Sequence, residues 1–436
     1  MSGVLGGDRG HPRRGPTPLA YARGVTEPAP TDGKLLRTIA VAAYGPTLLG
    51  STGAGAVAPI IALSAREHGA SLGVAALLVA TMGVGQLLGD LPSGALAARI
   101  GERRALLVAA VVEGVGMLLC LLSRGLVLLF AGILVIGLAG ALYGLARQAY
   151  LTDAVPIRMR ARALSTLGGV HRIGYFIGPF LGSVVVAHWG TNAAYGVGVG
   201  TSVAAFVLVL VAKDITRPMD RAAVTAHRTV LSVLLEHRFV LLTLGTGVLC
   251  VAGARAVREA LVPLWAESVG LSPSQTSLVF GIAGAADMLL FYPSGWVMDR
   301  FGRVAVAVPS MVILGLGMAA LPLSTSLLAV TLVATVLGIG NGIGSGLIMT
   351  LGADASPREG RAQFLGGWRL CADVGRAAGP LALSGLTAAV TLGASAVVLG
   401  VGALAGAVWL RIWVPRHDPT RARRVKRPPA GAPLEL

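Results

Sequence analysis

A stretch in the second half of the chain is repeated, without a gap, 201 residues upstream. The segment LPSGALAARIG (residues 91–101) aligns with YPSGWVMDRFG (residues 292–302), so that proline, glycine and arginine recur at matching places. The same offset relates more distant residues, namely Gly69 and Gly270, Asp153 and Asp354, Pro156 and Pro357, and Arg160 and Arg361. A repeat that persists over such a length predicts a fold made of two equivalent halves.

Long apolar segments fill both halves. The chain is 54% hydrophobic and 13% charged, and its apolar runs reach about the 20 residues that cross a bilayer as a helix. Their uniform apolarity excludes the alternating strands of a barrel. The sequence therefore predicts an all-α membrane protein with twelve transmembrane helices in two pseudo-symmetric six-helix bundles. The approximate limits of the runs are 39–62, 72–98, 104–122, 125–154, 163–188, 193–213, 239–263, 272–298, 303–322, 326–355, 364–390 and 392–414.

The basic residues are unevenly placed along the chain. The formal net charge is +16, which in a soluble protein would suggest a nucleic-acid partner. If the N-terminus is cytoplasmic, 28 of the 36 Lys and Arg residues fall in cytoplasmic tails and loops, six fall within spans, and two, Arg66 and Arg124, fall outside. The positive-inside rule then places both termini in the cytoplasm. The expected partner is the lipid bilayer, and no nucleic acid.

Composition divides the chain into five parts. We expect a disordered cytoplasmic tail at 1–38, an N-terminal bundle at 39–213, a cytoplasmic linker at 214–238, a C-terminal bundle at 239–414 and a basic cytoplasmic tail at 415–436. Arg outnumbers Lys 33 to 3 in a chain rich in Ala, Gly and Val, which is typical of a GC-rich bacterial genome. We therefore expect a multi-pass protein of the bacterial inner membrane.

No segment suggests a metal site, a cofactor or an enzyme active site. The three cysteines lie inside predicted spans without CxxC or metal-ligand spacing. The stretch GIGNGIGSG in the tenth span lacks the preceding strand and the Lys-Ser/Thr pair of a nucleotide loop, so we expect close helix packing around Asn341. No Ser-His pair or paired-carboxylate arrangement appears at usable spacing, so we expect no enzyme and no cofactor.

Polar and ionisable side chains inside the apolar spans are the candidate functional residues, because a charge within a membrane is costly. Burial opposes the charged form of a carboxyl group and a nearby arginine favours it, so titration can fall near neutral pH. We expect proton coupling by Asp287, then by Asp373 and Glu113. A substrate cavity is expected to contain Gln86, His171, Arg172, Arg255, Asn341 and Arg376.

Two intramembrane residues have simpler interpretations. Glu113 lies near the middle of the third span, where a hydrogen bond to a neighbouring helix is the alternative to a transport role. Arg147 comes near the end of the fourth span, and a long side chain at that place is expected to extend to the membrane interface.

The repeated segment resembles the loop signature GxxxDRxGRR of the major facilitator superfamily, and the resemblance extends over residues 39–414. The copy after the eighth span is the more complete, whereas the copy after the second span has Ala98 and Glu102 in place of Asp and Arg. The resemblance implies that Asp299 accepts hydrogen bonds from the start of the fifth span, near Arg160 to Ala163, when the cytoplasmic side closes. It implies gating and a conformational lock for Gly94, Arg99, Gly101, Arg103, Gly295, Asp299, Arg300, Gly302 and Arg303.

The fifth span contains a GxxxGP element, Gly174, Gly178 and Pro179, which recurs in the eleventh span as Gly375, Gly379 and Pro380. Small residues four apart allow close packing, and proline bends a helix. The element is therefore either a packing surface or a helix-bending interface that moves. It resembles the drug:proton antiporters, which favours efflux. The chain departs from those exporters at Ile133, where they have an arginine, and in lacking an acidic residue in the first span.

The superfamily's helix arrangement implies that the fifth span neighbours the eighth and the second neighbours the eleventh. At about 1.5 Å per residue, Arg172 and Asp287 lie at similar depth, and Asp90 lies between Arg369 and Arg376. Each interface is therefore expected to hold a cross-half ion pair. The pairs are either permanent pivots or latches that separate once the carboxylate is protonated.

Together these features favour a monomeric secondary transporter that exports a small organic or amphipathic compound by alternating access, driven by proton antiport. The alternative is import of a metabolite on the same fold, by symport or uniport. Catalysis is disfavoured because no segment between spans is long enough for a catalytic domain. A purely scaffolding role is disfavoured because it would not use the intramembrane charges.

Overall fold

A computed structural model describes residues 40–155, 160–212, 230–357 and 359–417. Within these ranges the chain is helical and contains no β-strand. Twelve helices, α1 to α12, correspond to the twelve predicted spans. They are α1 (Gly45–Val57 and Ile60–Glu67), α2 (Leu72–Ile100), α3 (Glu102–Leu121), α4 (Leu126–Ala154), α5 (Arg160–Trp189), α6 (Ala193–Val211), α7 (Arg238–Ser268), α8 (Pro273–Phe301), α9 (Val304–Ala320), α10 (Leu327–Ile343 and Leu347–Ala355), α11 (Arg361–Ala389) and α12 (Leu392–His417).

Eleven of these helices are long and apolar enough to cross a membrane, if the two parts of α1 are taken as one bent span. The bend of 41° falls between Val57 and Ile60, where Pro59 supplies no backbone N–H. Helix α11 has 29 residues, which is long enough to cross a membrane, but it is less apolar than the other eleven helices. It carries Arg369, Asp373 and Arg376 on one face. These charged side chains point into the protein and not toward the membrane.

The repeat is visible at the helix ends. Gly69 and Gly270, and likewise Gly101 and Gly302, adopt φ between +78° and +91°, a left-handed conformation that only glycine adopts without strain. Ser71 and Ser272 are also related by the offset, and each caps the helix that follows it through its side-chain oxygen. At Ser272 the side chain of Gln275 also accepts from the Ser272 backbone N–H, which completes a capping box. Matching helix ends produce matching halves.

Each half packs in the same way. In the N-terminal half α1 contacts α5 and α6, α2 contacts α4, and α3 contacts α4 and α6; the corresponding contacts recur in the C-terminal half. Between the halves, α2 packs against α11 and α5 against α8. The helix neighbours implied by the family resemblance are therefore present.

We call the membrane side that contains Gly101 and Gly302 the terminal face, because α1 begins and α12 ends there, and the side that contains Gly69 and Gly270 the opposite face. Helix α12 continues to His417, three residues past the limit expected for the C-terminal bundle. Part of the expected linker is helical at Val230–Glu236, where Val233 is fully buried and adjoins Gly360 before α11. The expected tail at 1–38, and all but the first three residues of the expected tail at 415–436, lie outside the described residues.

Candidate functional site

A cavity of about 480 Å³ lies between the two halves. Its wall is formed by α1 to α5 from the N-terminal half and by α7, α8, α10 and α11 from the C-terminal half. The residues that the sequence proposes for substrate binding and proton coupling all line it, although their roles remain predictions. They are Gln86, Glu113, His171, Arg172, Arg255, Asp287, Asn341, Asp373 and Arg376.

An ion pair joins α5 to α8 on the cavity wall. The Arg172 guanidinium donates a hydrogen bond of 3.1 Å to the Asp287 carboxylate, and the two side chains are 22% and 18% exposed. Arg172 also lies over the ring of Phe291, one turn further along α8, at 4.7 Å from its centroid. Because the partners belong to different halves, any separation of α5 from α8 at this depth must break the pair.

A second charge cluster joins α2 to α11. Arg369 lies 3.3 Å from Asp90 and 3.5 Å from Asp373, so one guanidinium contacts a carboxylate from each half. Arg376 contacts Asp373 at 2.7 Å. The ion pair expected at this interface is therefore formed by Asp90 with Arg369, and not with Arg376. Asp373 lies three residues before Arg376, on the same helical face, and therefore takes that guanidinium.

Arg147 and His171 meet on the N-terminal wall of the cavity. One guanidinium nitrogen of Arg147 lies 3.2 Å from Nδ1 of His171, and Oγ of Ser51 lies 2.5 Å from the same nitrogen. A guanidinium can only donate, so Nδ1 must accept and the proton of a neutral His171 resides on Nε2. The expectation that Arg147 extends to the interface is wrong. Helix α4 continues to Ala154, which places Arg147 about 10 Å inside the helix end.

Helix α7 presents Arg255, Arg258 and Glu259 to the cavity. Arg255 donates to the carbonyl of Gly344 at 2.5 Å. That carbonyl lies in the break of α10, which ends at Ile343 and resumes at Leu347 with Gly346 at φ +75°, and it also accepts a hydrogen bond from the backbone N–H of Leu347 at 3.2 Å. The glycine-rich stretch around Asn341 packs closely on α8, where Gly342 contacts Asp287. It also contains the helix break at which Arg255 of α7 forms its hydrogen bond.

Sequence reasoning missed Arg147, Arg258 and Glu259 as cavity residues. The signal for the second and third was present, because residues 255, 258 and 259 are spaced as neighbours on one helical face inside an apolar run. For Arg147 it was absent, because the sequence does not show that His171 of α5 lies opposite it. Glu113 lines the cavity, and no described group hydrogen-bonds to it, so the alternative of a hydrogen-bonded structural carboxyl gains no support.

The signature residues act mainly as helix-end anchors within each half. Arg303 pairs with Asp354 at the end of α10 at 2.7 Å, and Arg103 donates to carbonyls at the end of α6, including Ala212 at 2.8 Å. Arg300 contacts the rings of Trp296 and Phe301. Arg99 is exposed, while a Cβ atom added at Gly94 or Gly295 would meet little or nothing within 4 Å.

Asp299 is exposed, and none of the described side chains hydrogen-bonds or pairs with it. The side chains of residues 160–162, where the lock is expected, lie outside the described residues, so the lock stays a prediction. Among the described residues, hydrogen bonds between the halves occur at the Arg369–Asp90 level and beyond, toward the opposite face.

The opposite face is held shut by three contacts between the halves. Nε of Arg66 donates to both carboxylate oxygens of Glu267 at 3.0 Å, joining the ends of α1 and α7. Ser183 and Ser274 exchange hydrogen bonds between α5 and α8 at 2.9 to 3.0 Å. Ser384 of α11 donates to the carbonyl of Gly73 on α2 at 2.7 Å. The cavity is therefore closed toward the opposite face.

The glycines of α5 and α11 pack against helices of their own half. A Cβ atom at Gly178 would lie less than 3.0 Å from the carbonyl oxygen of Thr52 on α1, and one at Gly379 would lie as close to that of Gly253 on α7. Gly174 and Gly375 approach the same two helices as closely. These contacts favour the packing interpretation for the glycines; a bending role for Pro179 and Pro380 remains a prediction.

Two pseudo-equivalent six-helix bundles around a charged central cavity are typical of a membrane transporter. The family model described as Major Facilitator Superfamily matches residues 47–257 and 244–436. The chain belongs to the Major Facilitator Superfamily.

Known relatives agree with this assignment. An uncharacterised MFS-type transporter of Methanocaldococcus jannaschii is 21% identical over 366 residues, covering 80% of this chain and 89% of the relative. A class H tetracycline resistance protein of Pasteurella multocida is 29% identical over 145 residues, about a third of each protein. The structure of a D-xylose-proton symporter superposes with a TM-score of 0.66 at 16% identity, over 88% of this chain and 99% of that one, which shows a shared fold.

Proposed function

We propose that this transporter exports a small organic or amphipathic compound from the bacterial cytoplasm by alternating access, with proton antiport as the driving force. Both termini are then cytoplasmic, the terminal face is the cytoplasmic face, and the protein acts as a monomer in the inner membrane. The observation that carries the proposal is the central cavity, closed at the opposite face by Arg66 with Glu267 and crossed at mid-depth by Arg172 with Asp287.

The arrangement supports alternating access because the hydrogen bonds that join the halves at the opposite face are made by side chains that a small movement can separate. A small rotation about α2–α11 and α5–α8 would break those hydrogen bonds and bring the terminal-face ends together. Asp299 would then reach the start of α5, where the backbone N–H groups at the helix N-terminus can donate hydrogen bonds to its carboxylate. The lock and the opposite-face contacts would thus alternate.

Proton coupling is proposed for Asp287 first, with Asp373 and Glu113 as further carriers. Separating Arg172 from a charged Asp287 would leave two charges in a poorly hydrated site, at a cost of several kcal/mol. Protonation of Asp287 beforehand removes one of the two charges, so proton binding would loosen α5 from α8. Substrate and proton would then bind to different states of the α5–α8 interface and would not be carried together, as antiport requires.

Export is favoured over import by the likeness to a tetracycline resistance protein, since removal of a drug is one route to resistance. The test is transport into inside-out vesicles, with and without an imposed pH gradient, for a panel of labelled organic compounds. Uphill accumulation that needs an acidic interior supports proton-driven export. Accumulation only in right-side-out vesicles would instead establish import. Transport at the same rate with and without the pH gradient would exclude proton coupling.

A further inference from the structure

The charged residues on the cavity wall do not balance. Six guanidinium groups line it, against four carboxyl groups: Glu113, Glu259, Asp287 and Asp373. Arginine keeps its proton in proteins, so the wall stays positive by at least two charges even if every carboxyl group is ionised and His171 is neutral. Counting Asp90, which pairs with Arg369 from outside the lining, still leaves an excess of one. The arginines are Arg147, Arg172, Arg255, Arg258, Arg369 and Arg376.

Among the described residues, three of these arginines have no carboxylate partner within ion-pair distance. Arg172, Arg369 and Arg376 each contact a carboxylate, whereas no carboxylate of the described chain lies within 4.0 Å of Arg147, Arg255 or Arg258. Arg258 is only 5% exposed, and its guanidinium lies over the ring of Phe280, 5.5 Å from the centroid. The Nε atoms of both Arg255 and Arg258 are buried and have no acceptor in the described chain. Buried guanidinium groups without a counter-charge are costly.

We propose that the transported compound is an organic anion, whose carboxylate or phosphate group is bound by Arg255 and Arg258 of α7 together with Arg147 of α4. The planar guanidinium fork matches the two oxygens of such a group. Arg255 and Arg258 are neighbours on one helical face, and Arg147 faces the same cavity from the other half. A bound anion would thus join the two halves, while an apolar part of the compound would contact Tyr175, Phe176 and Phe280.

This inference rests on the proposed transport function, but its electrostatic basis can be measured on the purified protein without transport. Single cysteines are introduced at Gly284 on α8 or Ala54 on α1, in a chain whose Cys120, Cys250 and Cys371 are replaced by Ala. Both positions line the cavity, and a Cβ at Gly284 meets only Phe176, at 4.0 Å. A cysteine at Thr325, an exposed loop residue at the opposite face, is the reference.

The probes are the anionic sulfonatoethyl and the cationic trimethylammonioethyl methanethiosulfonates. Relative to the reference, the anionic probe should be favoured at the cavity cysteines by about tenfold, as surface potentials of several kT imply. Arg255→Gln should lower this preference, while Arg124→Gln, the same charge change in an outside loop, should not. If the two probes react equally fast at both cavity cysteines, or if the cationic probe reacts faster, the inference is overturned even if transport is later found.

A second arm identifies the anionic group. The thermal stability of the full chain in detergent is measured with 1-naphthoate against 1-naphthamide, and with 1-naphthyl phosphate against 1-naphthol. Stabilisation by one anion and not by its neutral partner, reduced in Arg258→Gln, supports the inference and distinguishes carboxylate from phosphate. Equal stabilisation by the neutral partners would contradict it.

Discussion

Arg66 and Glu267 pair across the two halves at 3.0 Å, and the 201-residue repeat relates these two residues to each other. Each stands at the same place in its own half, three residues before the glycine that follows the helix. The duplication has therefore placed opposite charges at equivalent sites on either side of the pseudo-symmetry axis, where they meet when the opposite face closes.

Replacing Arg66 by Gln should shift the conformational equilibrium toward opening of the opposite face. The pair is about one-third exposed, and an exposed pair contributes up to about 1 kcal/mol, so the shift in population should be at most about fivefold. Spin labels at Arg124 and Thr325, in opposite-face loops of the two halves, would report it as a larger long-distance fraction. The charge-exchanged double variant, Arg66→Glu with Glu267→Arg, should restore the original distribution; failure to do so would mean that the pair does not hold this face.

Asp287→Asn should abolish uphill transport but leave exchange of substrate measurable. The amide can still accept a hydrogen bond from Arg172, yet it cannot bind and release a proton during the cycle. Exchange and gradient-driven uptake would be compared in the same vesicles, once a substrate is found by the panel. Unchanged uphill transport would exclude Asp287 from the coupling mechanism.

The charge exchange Arg172→Asp with Asp287→Arg separates a latch from a pivot. A permanent pivot should tolerate the exchange and keep transport, because the same two charges still meet. A proton-controlled latch should fold but lose coupling, because the carboxyl group now belongs to the other half. Each single variant should be less stable, by roughly 3 kcal/mol for a broken buried pair, which thermal unfolding of the three proteins would reveal.

Gly178→Ala should destabilise the N-terminal half, whereas Gly168→Ala on the same helix should not. A Cβ at Gly178 would lie less than 3.0 Å from a backbone oxygen of α1, while one at Gly168 meets nothing within 4 Å. Overpacking of this kind costs about 1–3 kcal/mol, with more expected against a rigid backbone. Thermal unfolding in detergent measures both; equal melting temperatures would show that α5 does not pack this closely on α1.

Asp299→Asn should favour the conformation described here, in which Asp299 has no partner among the described residues. Loss of the carboxylate weakens only the state in which it would meet the start of α5. Accessibility of a cysteine at Ala54 to a thiol reagent added from the terminal face should increase. Ala98→Ser, at the equivalent place in the first half, should leave it unchanged, and an unchanged result for Asp299→Asn would place the lock elsewhere.

Much of the architecture could be predicted from the sequence because the repeat, the apolar runs and the helix-end glycines are local signals. The 201-residue offset alone relates Gly101 to Gly302 and Ser71 to Ser272, residues that end or begin helices in the structure. Depth counting from the helix ends, with the helix neighbours implied by the family resemblance, was enough to bring Arg172 and Asp287 together, because both helices are continuous at that depth.

The rest depended on distances that a pattern does not contain. Arg147 was expected at the interface because the sequence does not show that His171 of α5 faces it, and depth alone could not show which of Arg369 and Arg376 pairs with Asp90. The use of the α10 break by Arg255 required knowing that α7 and α10 face each other. Composition could not reveal that positive charge exceeds negative charge on the cavity wall.

The central claim is that the two faces close in alternation under the control of Asp287. The most direct test is to measure two distances between the halves in one set of proteins: Arg124 to Thr325 at the opposite face, and Arg104 to Glu359 at the terminal face, by spin labels in nanodiscs. The account predicts that Asp287→Asn produces a second population in which the opposite-face distance lengthens and the terminal-face distance shortens. Distances that lengthen together, or that stay as they are in the unsubstituted protein, would contradict it.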